Sequence, residues 1–163
     1  MADEKVMQKA KSVYETICKA LDARDWKYKR FDEDLTISCG ARGDDLPMDI
    51  IIMLNTQAQV VSVLSPMPYK VAEEKRVDVA LAIAIANYGL VNGSFDYDLS
   101  DGEIRFRMVS SFRDSVLGEE LFDYMVMVTA STVDRYNDRF LMISKGILSI
   151  EQFVKMENED RNN

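Results

Sequence analysis

Two alternating runs, Phe95–Leu99 and Glu103–Met108, flank the dipeptide Asp101-Gly102, and no other feature of the chain restricts its fold as tightly. Asp-Gly is a preferred centre for a two-residue type I′ turn, because both central residues need positive φ. That turn predicts Ser100 opposite Glu103, Leu99 opposite Ile104, Tyr97 opposite Phe106 and Phe95 opposite Met108. On the other face Asp98 then meets Arg105 and Asp96 meets Arg107. Apolar pairs on one side and opposite charges on the other each contribute about 0.2–1 kcal/mol. A chain built around such a hairpin holds an antiparallel sheet, and the remaining residues must extend and cover it.

Upstream, the apolar period is first that of a helix and then that of strands. Val6, Ala10, Val13, Tyr14, Ile17 and Leu21 recur at three- and four-residue steps, which predicts an amphipathic helix over about residues 3–23. From Trp26 to Ser65 the period falls to two. Strands are predicted over Trp26–Phe31, Leu35–Ala41, Met48–Leu54 and Gln59–Ser65. In the third, Met48, Ile50, Ile52 and Leu54 line one face while Ile51 and Met53 make the other half apolar, the pattern of a strand covered on both sides. A three-residue loop between the first two strands would set Trp26 and Tyr28 opposite Gly40 and Ser38, so a bulge or a longer loop is expected. Pro66 and Pro68 lack the N–H that a ladder needs, and the sheet segment is expected to end there.

Glu73 and Glu74 at the positive end and Gly89 as the stop bracket a helix over about Ala72–Tyr88. Wound at 100° per residue, Val77, Ala80, Leu81, Ala84 and Tyr88 form one stripe, and Val79, Ala82, Ile83 and Ala86 a second, nearly opposite. A helix apolar on two sides needs a cover on both. Small residues let backbones approach, so Val79, Ala82, Ile83 and Ala86 are the candidate interface with a second copy across a twofold axis. The chain's own long third helix is the alternative cover. That helix opens at Gly118-Glu119-Glu120 and closes at Lys145-Gly146; its stripe is Leu121, Met125, Val128, Thr132, Tyr136 and Ile143, widened by Phe122, Val126, Val133 and Phe140. Ser149 and Gln152 are spaced as a capping box, with Leu148 and Phe153 as its staple, before a short helix Ile150–Met156. Residues 157–163 read as a polar, frayed tail. With no repeat or shift of composition, residues 1–156 read as a single domain.

Composition narrows the function more by exclusion than by assignment. The 163 residues contain no His, which removes imidazole nucleophile partners, ligands and proton shuttles. A formal charge of −8 argues against a nucleic-acid surface, which needs clustered cations. The one basic group, Lys27, Lys29 and Arg30, reads as the solvent face of a strand. Cys18 and Cys39 are too few for a disulfide scaffold and read as small buried residues. The first ten residues lack the apolar core of a signal peptide, and the longest apolar run, Val79 to Ala86, is far short of a membrane span. A cytoplasmic protein with no membrane contact is expected.

The chemical constellations are sparse. Asp96, Asp98 and Gly102 invite a calcium-loop reading, but counting from Asp96 places Asp101 and Arg107 where that loop needs Gly and Glu. Asp44 and Asp45 after Gly43 could divide acid and base roles only if buried at different depths; in a Gly-containing turn they should meet water. Asp134, Asn137 and Asp138 lie within one helical turn and read as its solvated face. Met48, Met53, Met125 and Met127 could form an adaptable surface, though gap-filling in the core is the simpler role. No metal, cofactor or catalytic residue is assigned.

From Asn87 through Asn92-Gly93-Ser94-Phe95 to Asp101-Gly102-Glu103-Ile104-Arg105-Phe106-Arg107, the sequence resembles the bacterial YbjN domain family. The likeness extends over about residues 5–145. It implies the α+β sandwich of type III secretion chaperones, an antiparallel sheet packed with helices in the order α-β-β-β(-β)-α-β-β-α-α. It further implies a non-enzymatic, prokaryotic protein, often a homodimer, with a regulatory or chaperone-like role and another polypeptide as partner. A carboxylate-based enzyme or ligand-binding domain and a structural subunit of a larger assembly are the alternatives.

Overall fold

The computed structural model describes residues 4–162; residue 3, where the first helix is expected to begin, and Asn163 lie outside them. The elements follow in the order α1 (Glu4–Ala23), β1 (Tyr28–Phe31), β2 (Thr36–Arg42), β3 (Pro47–Asn55), β4 (Val60–Lys70), α2 (Arg76–Gly89), β5 (Ser94–Tyr97), β6 (Glu103–Ser111), α3 (Glu119–Ser144) and α4 (Ile150–Asn162). A single 3-10 turn, Glu73–Lys75, leads into α2. The six strands form one antiparallel sheet in the order β1-β2-β3-β4-β6-β5. This is the expected α+β architecture.

Alternation decides which side the helices cover. Ile37 and Cys39 of β2, Ile50 and Ile52 of β3, Val61 and Val63 of β4, and Ile104 and Phe106 of β6 point the same way and are buried. Against them lie Phe122, Met125, Val126, Thr129, Val133, Tyr136 and Phe140 of α3, so the helix's buried stripe is centred between the two sets of residues expected there. Leu121, Val128 and Thr132 sit at its half-buried margin. Aromatic rings tie the layers together. Phe95 meets Phe106 at 5.1 Å, Tyr136 at 5.4 Å and Phe140 at 5.1 Å, all edge to face. Phe153 brings α4 onto Tyr136 and Phe140.

The hairpin register departs from the expectation by two residues. Tyr97 pairs with Ile104, Asp96 with Arg105, Phe95 with Phe106 and Ser94 with Arg107. The cause is a longer turn. Asp98 accepts from the N–H and hydroxyl of Ser100, and the Asp101 carboxylate accepts from Glu103 N–H. Arg76 donates to the carbonyls of Leu99 and Ser100 at 3.1 and 2.9 Å, so α2 holds the turn open. Between β1 and β2 the longer loop is found: Phe31 faces Thr36, and Leu35 takes positive φ. Trp26 precedes the strand.

Three further differences have local reasons. β4 runs through Pro66 and Pro68 to Lys70, because beyond Leu64 it has lost β3 as a neighbour and a missing N–H there leaves no ladder acceptor unpaired; a register shift between Pro66 and Lys70 takes up the remainder. β3 is covered on one side only, with Met53 exposed and Ile51 half-buried. The expected tail continues α4 to Asn162, since Glu157 is buried and accepts from Tyr136 Oη at 2.7 Å and Arg139 Nη1 at 2.8 Å. The capping box at its start is formed: Ser149 N–H donates to Gln152 Oε1 and Gln152 N–H to Ser149 Oγ.

Gly102 shows how tightly the hairpin is docked. Its φ is +79°, and a Cβ there would overlap the Val71 carbonyl, whose own N–H donates to Gly102 O at 2.9 Å. Gly102→Ala should cost about 2 kcal/mol or more, since strained φ and backbone overlap add. Urea unfolding of the two proteins checks this.

Candidate docking surface

Among the described residues every helix lies on one side, and the other side of the sheet is bare. None of its strand residues is buried: Thr36, Ser38, Gly40 and Arg42 from β2, Asp49, Ile51 and Met53 from β3, Ser62 and Leu64 from β4, and Arg105, Arg107 and Val109 from β6. A solvated face normally alternates to polar residues. Here two cross-strand rows keep apolar residues among hydroxyl and charged ones. One runs Phe31, Thr36, Met53, Ser62, Val109, and the next runs Lys29, Ser38, Ile51, Leu64, Arg107, each step a pair in the register. Phe31, Met53 and Val109 are 40–47% exposed, with Ile51 and Leu64 half-buried beside Met53, and grouped apolar side chains on a surface mark interaction sites.

Charged groups border the apolar centre. At the β5–β6 end Arg107 donates to both oxygens of Asp96, at 2.8 and 3.0 Å, and Arg105 to one, at 3.2 Å. These hydrogen bonds, that of Arg107 first, hold the Asp96 carboxyl below its ordinary pKa. Beside them lies an open hollow of about 520 Å³. At the β1–β2 end Lys27, Lys29, Gly40 and Asp49 border a second hollow of about 320 Å³.

The structure disperses the candidates the sequence offered. Val79, Ala82, Ile83 and Ala86 lie inside the chain, where α2 meets α3, α4 and β5, and the opposite stripe of Val77, Leu81, Ala84 and Tyr88 is the one that faces outward. Asp44 and Asp45 are exposed on the β2–β3 turn. Asp44 N–H donates to Asp134 Oδ1 at 2.9 Å, and that carboxylate fills the space a side chain at Gly43 would need. Asp138, then Asp134 and Asp44, push the Asp45 carboxyl up by charge repulsion. Asn137 is buried, contrary to the solvated face expected, because its carbonyl accepts from Tyr69 Oη at 2.6 Å where β4 crosses under α3. Cys18 and Cys39 are buried and free, and burial pushes the Cys39 thiol up to about 11. Met48 and Met125 fill the core, whereas Met53 and Met127 are exposed. Arg30 turns from the solvent face to Glu15 of α1. Among the described residues, no group of three or more Cys, Asp or Glu is placed to hold a metal ion, and no helix is long and apolar enough to cross a membrane.

The family model YbjN, described as "Putative bacterial sensory transduction regulator", matches residues 14–142. The chain belongs to the YbjN family. The crystal structure of YbjN from E. coli is similar with a TM-score of 0.57 at 14% identity, covering 77% of this chain and 92% of that one. ExsC in the ExsC-ExsE complex gives 0.55 at 11% identity, covering 79% and 93%. These likenesses establish the type III secretion chaperone-like fold. No curated protein matches. The family match ends before α4, so the helix that carries Phe153 and Glu157 lies outside the matched residues.

The charged border has a pH signature. A folded carboxyl held below its unfolded pKa of about 3.9 adds stability above that value and loses it as pH falls through the folded pKa. Asp96→Asn should therefore lower stability at neutral pH, and the gap to the parent protein should close in the acid range below about pH 3.9. Urea midpoints measured across that range test it.

Proposed function

We propose that this YbjN-family chain is a non-enzymatic regulatory or chaperone-like module that binds another polypeptide on the bare face of its sheet. The observation that carries this reading is the group of apolar residues on that face, Phe31, Met53 and Val109 exposed and Ile51 and Leu64 half-buried, left open by the one-sided placement of the helices. The family's description as a sensory transduction regulator and the occurrence of the same fold in the ExsC-ExsE complex support a binding role. A carboxylate-based enzyme draws no such support, because Asp44 and Asp45 stand in an open turn. Two buried, free cysteines suit work in the reducing cytoplasm.

A peptide-display selection against the purified protein tests the docking face. Enriched peptides should lose binding to an Ile51→Glu/Met53→Glu variant whose circular dichroism is unchanged. Failure to enrich any peptide, or equal binding to the variant, overturns the reading.

The module also works as a homodimer in this reading, through the outward stripe of α2. Val77, Leu81 and Tyr88 are 51–86% exposed, and Ala80 and Ala84 between them let a second helix approach closely. Light scattering should give twice the 18.6 kDa chain mass, and Leu81→Asp should give the single mass with the fold intact. A single mass for the parent protein refutes the pairing.

A further inference from the structure

The row that crosses the bare face also specifies the chemistry of its occupant. Lys29, Ser38, Ile51, Leu64 and Arg107 are successive partners on β1, β2, β3, β4 and β6. Four strand spacings separate Lys29 from Arg107, about 19 Å, which an extended segment covers in about six residues. Cations stand at both ends, with Ser38 and the aliphatic side chains of Ile51 and Leu64 between them.

Lys27 and Lys29 form no ion pair among the described residues, and Asp49, which lines the same hollow, leaves one positive charge in excess at that end. Gly40 beside them leaves the floor of that hollow open: a Cβ there would meet only the Met48 carbonyl, at an ordinary 3.7 Å. At the far end the single Asp96 carboxylate is shared by two guanidinium groups, each more than 40% exposed, which leaves one positive charge in excess. Asp98 and Glu103 also border that hollow, the first turned back to Ser100 and the second towards Lys70 at 3.9 Å. Over the whole bare face the strands present five cations, Lys29, Arg42, Lys70, Arg105 and Arg107, against three anions, Asp49, Asp96 and Glu103. The face is thus +2 on a chain of −8, and the rest of the molecule carries −10. Segregation of this kind selects and orients a partner of opposite sign.

We propose that the occupant of the bare face is an extended polypeptide segment with acidic residues about six positions apart around an apolar stretch, one meeting Lys27 and Lys29 and the other Arg105 and Arg107. This rests on the docking reading above and adds the partner's charge pattern to it. A nucleic acid fits less well, since the −10 remainder repels phosphates and the centre of the face is aliphatic where bases would need aromatic platforms.

Fluorescence anisotropy with three dye-labelled synthetic peptides tests the pattern. All share a core of alternating Val and Thr and differ in their ends, which carry two Glu, two Lys or two Gln. The Glu-ended peptide should bind about tenfold more tightly than the Lys-ended one at about 50 mM salt, with the preference shrinking at about 300 mM. Lys27→Glu/Lys29→Glu, which breaks no ion pair, should abolish or reverse the preference. Equal binding of the three peptides, or preference for the Lys-ended one, overturns the charge pattern and leaves the docking reading standing. Binding of none of them, with none selected from the display library, overturns both. Tighter binding of oligothymidylate than of the Glu-ended peptide also overturns the proposal, assigning the face to nucleic acid.

Discussion

The position of Phe95 settles the architecture of this molecule. Its ring packs edge to face on β6 and α3 at once, and through Tyr136 and Phe140 it reaches Phe153 of α4. Its backbone is held from a fourth direction: Asn87 of α2 accepts from Phe95 N–H at 2.8 Å and donates to Phe95 O at 3.1 Å. Those are the groups with which an edge strand would recruit another strand. The carboxamide therefore closes the β5 edge and fixes α2 beside it in one stroke. With α3 on that ring, α4 on its partners Tyr136 and Phe140, and α2 on its backbone, all three helices are committed to the side of the sheet on which the ring lies. Glu157 reinforces the arrangement from α4, since a buried carboxylate is tolerable only while Tyr136 and Arg139 remain against it.

How far the sequence revealed this depends on the range of the forces involved. The helices and strands were legible because periodicity is local, and so was the capping box of Ser149 and Gln152. The hairpin shows where legibility stops. Side chains on a strand repeat every two residues, so a shift of two leaves every residue on its own face and every face still self-consistent. The pattern determined that Phe95, Tyr97, Ile104 and Phe106 point inward, and could not determine which opposes which. Arg76 on α2 made that choice by holding the carbonyls of Leu99 and Ser100. Likewise α2 offers two apolar stripes of similar strength, and only the placement of α3 and α4 turns Val79, Ala82, Ile83 and Ala86 inward. Glu157 reads as part of a polar tail because its partners lie 18 and 21 residues upstream.

The bare face was the least legible feature, for a geometric reason. Ile51 and Met53 signalled an apolar second side to β3, which suggests a covered strand as readily as an exposed binding surface. The cations that border that surface come from β1 and β6, which are far apart in sequence. They join one row only through four separate registers. β4 contributes by continuing past Pro66, which carries the face down to Lys70 where the sequence suggests a stop.

Charge then separates the two outward apolar surfaces by the partner each can take. A twofold axis passing through the row Lys29–Ile51–Leu64–Arg107 would set that row against itself when the bare face stacks on its own copy. Cations occupy both ends of that row, so either antiparallel or parallel stacking brings positive ends together, and like charges in contact cost several kcal/mol. In the proposed reading this disfavours self-stacking along that row and suits the sheet face to a partner of different composition. The α2 stripe of Val77, Leu81 and Tyr88 has no charged residue of its own, the nearest cation over it being Arg161 of α4 at the Tyr88 end, 5.5 Å from that ring. In the proposed reading one acidic chain thus offers one surface for self-association and another for a foreign segment, and the difference between them arises from where a few lysines and arginines fall on the pleat.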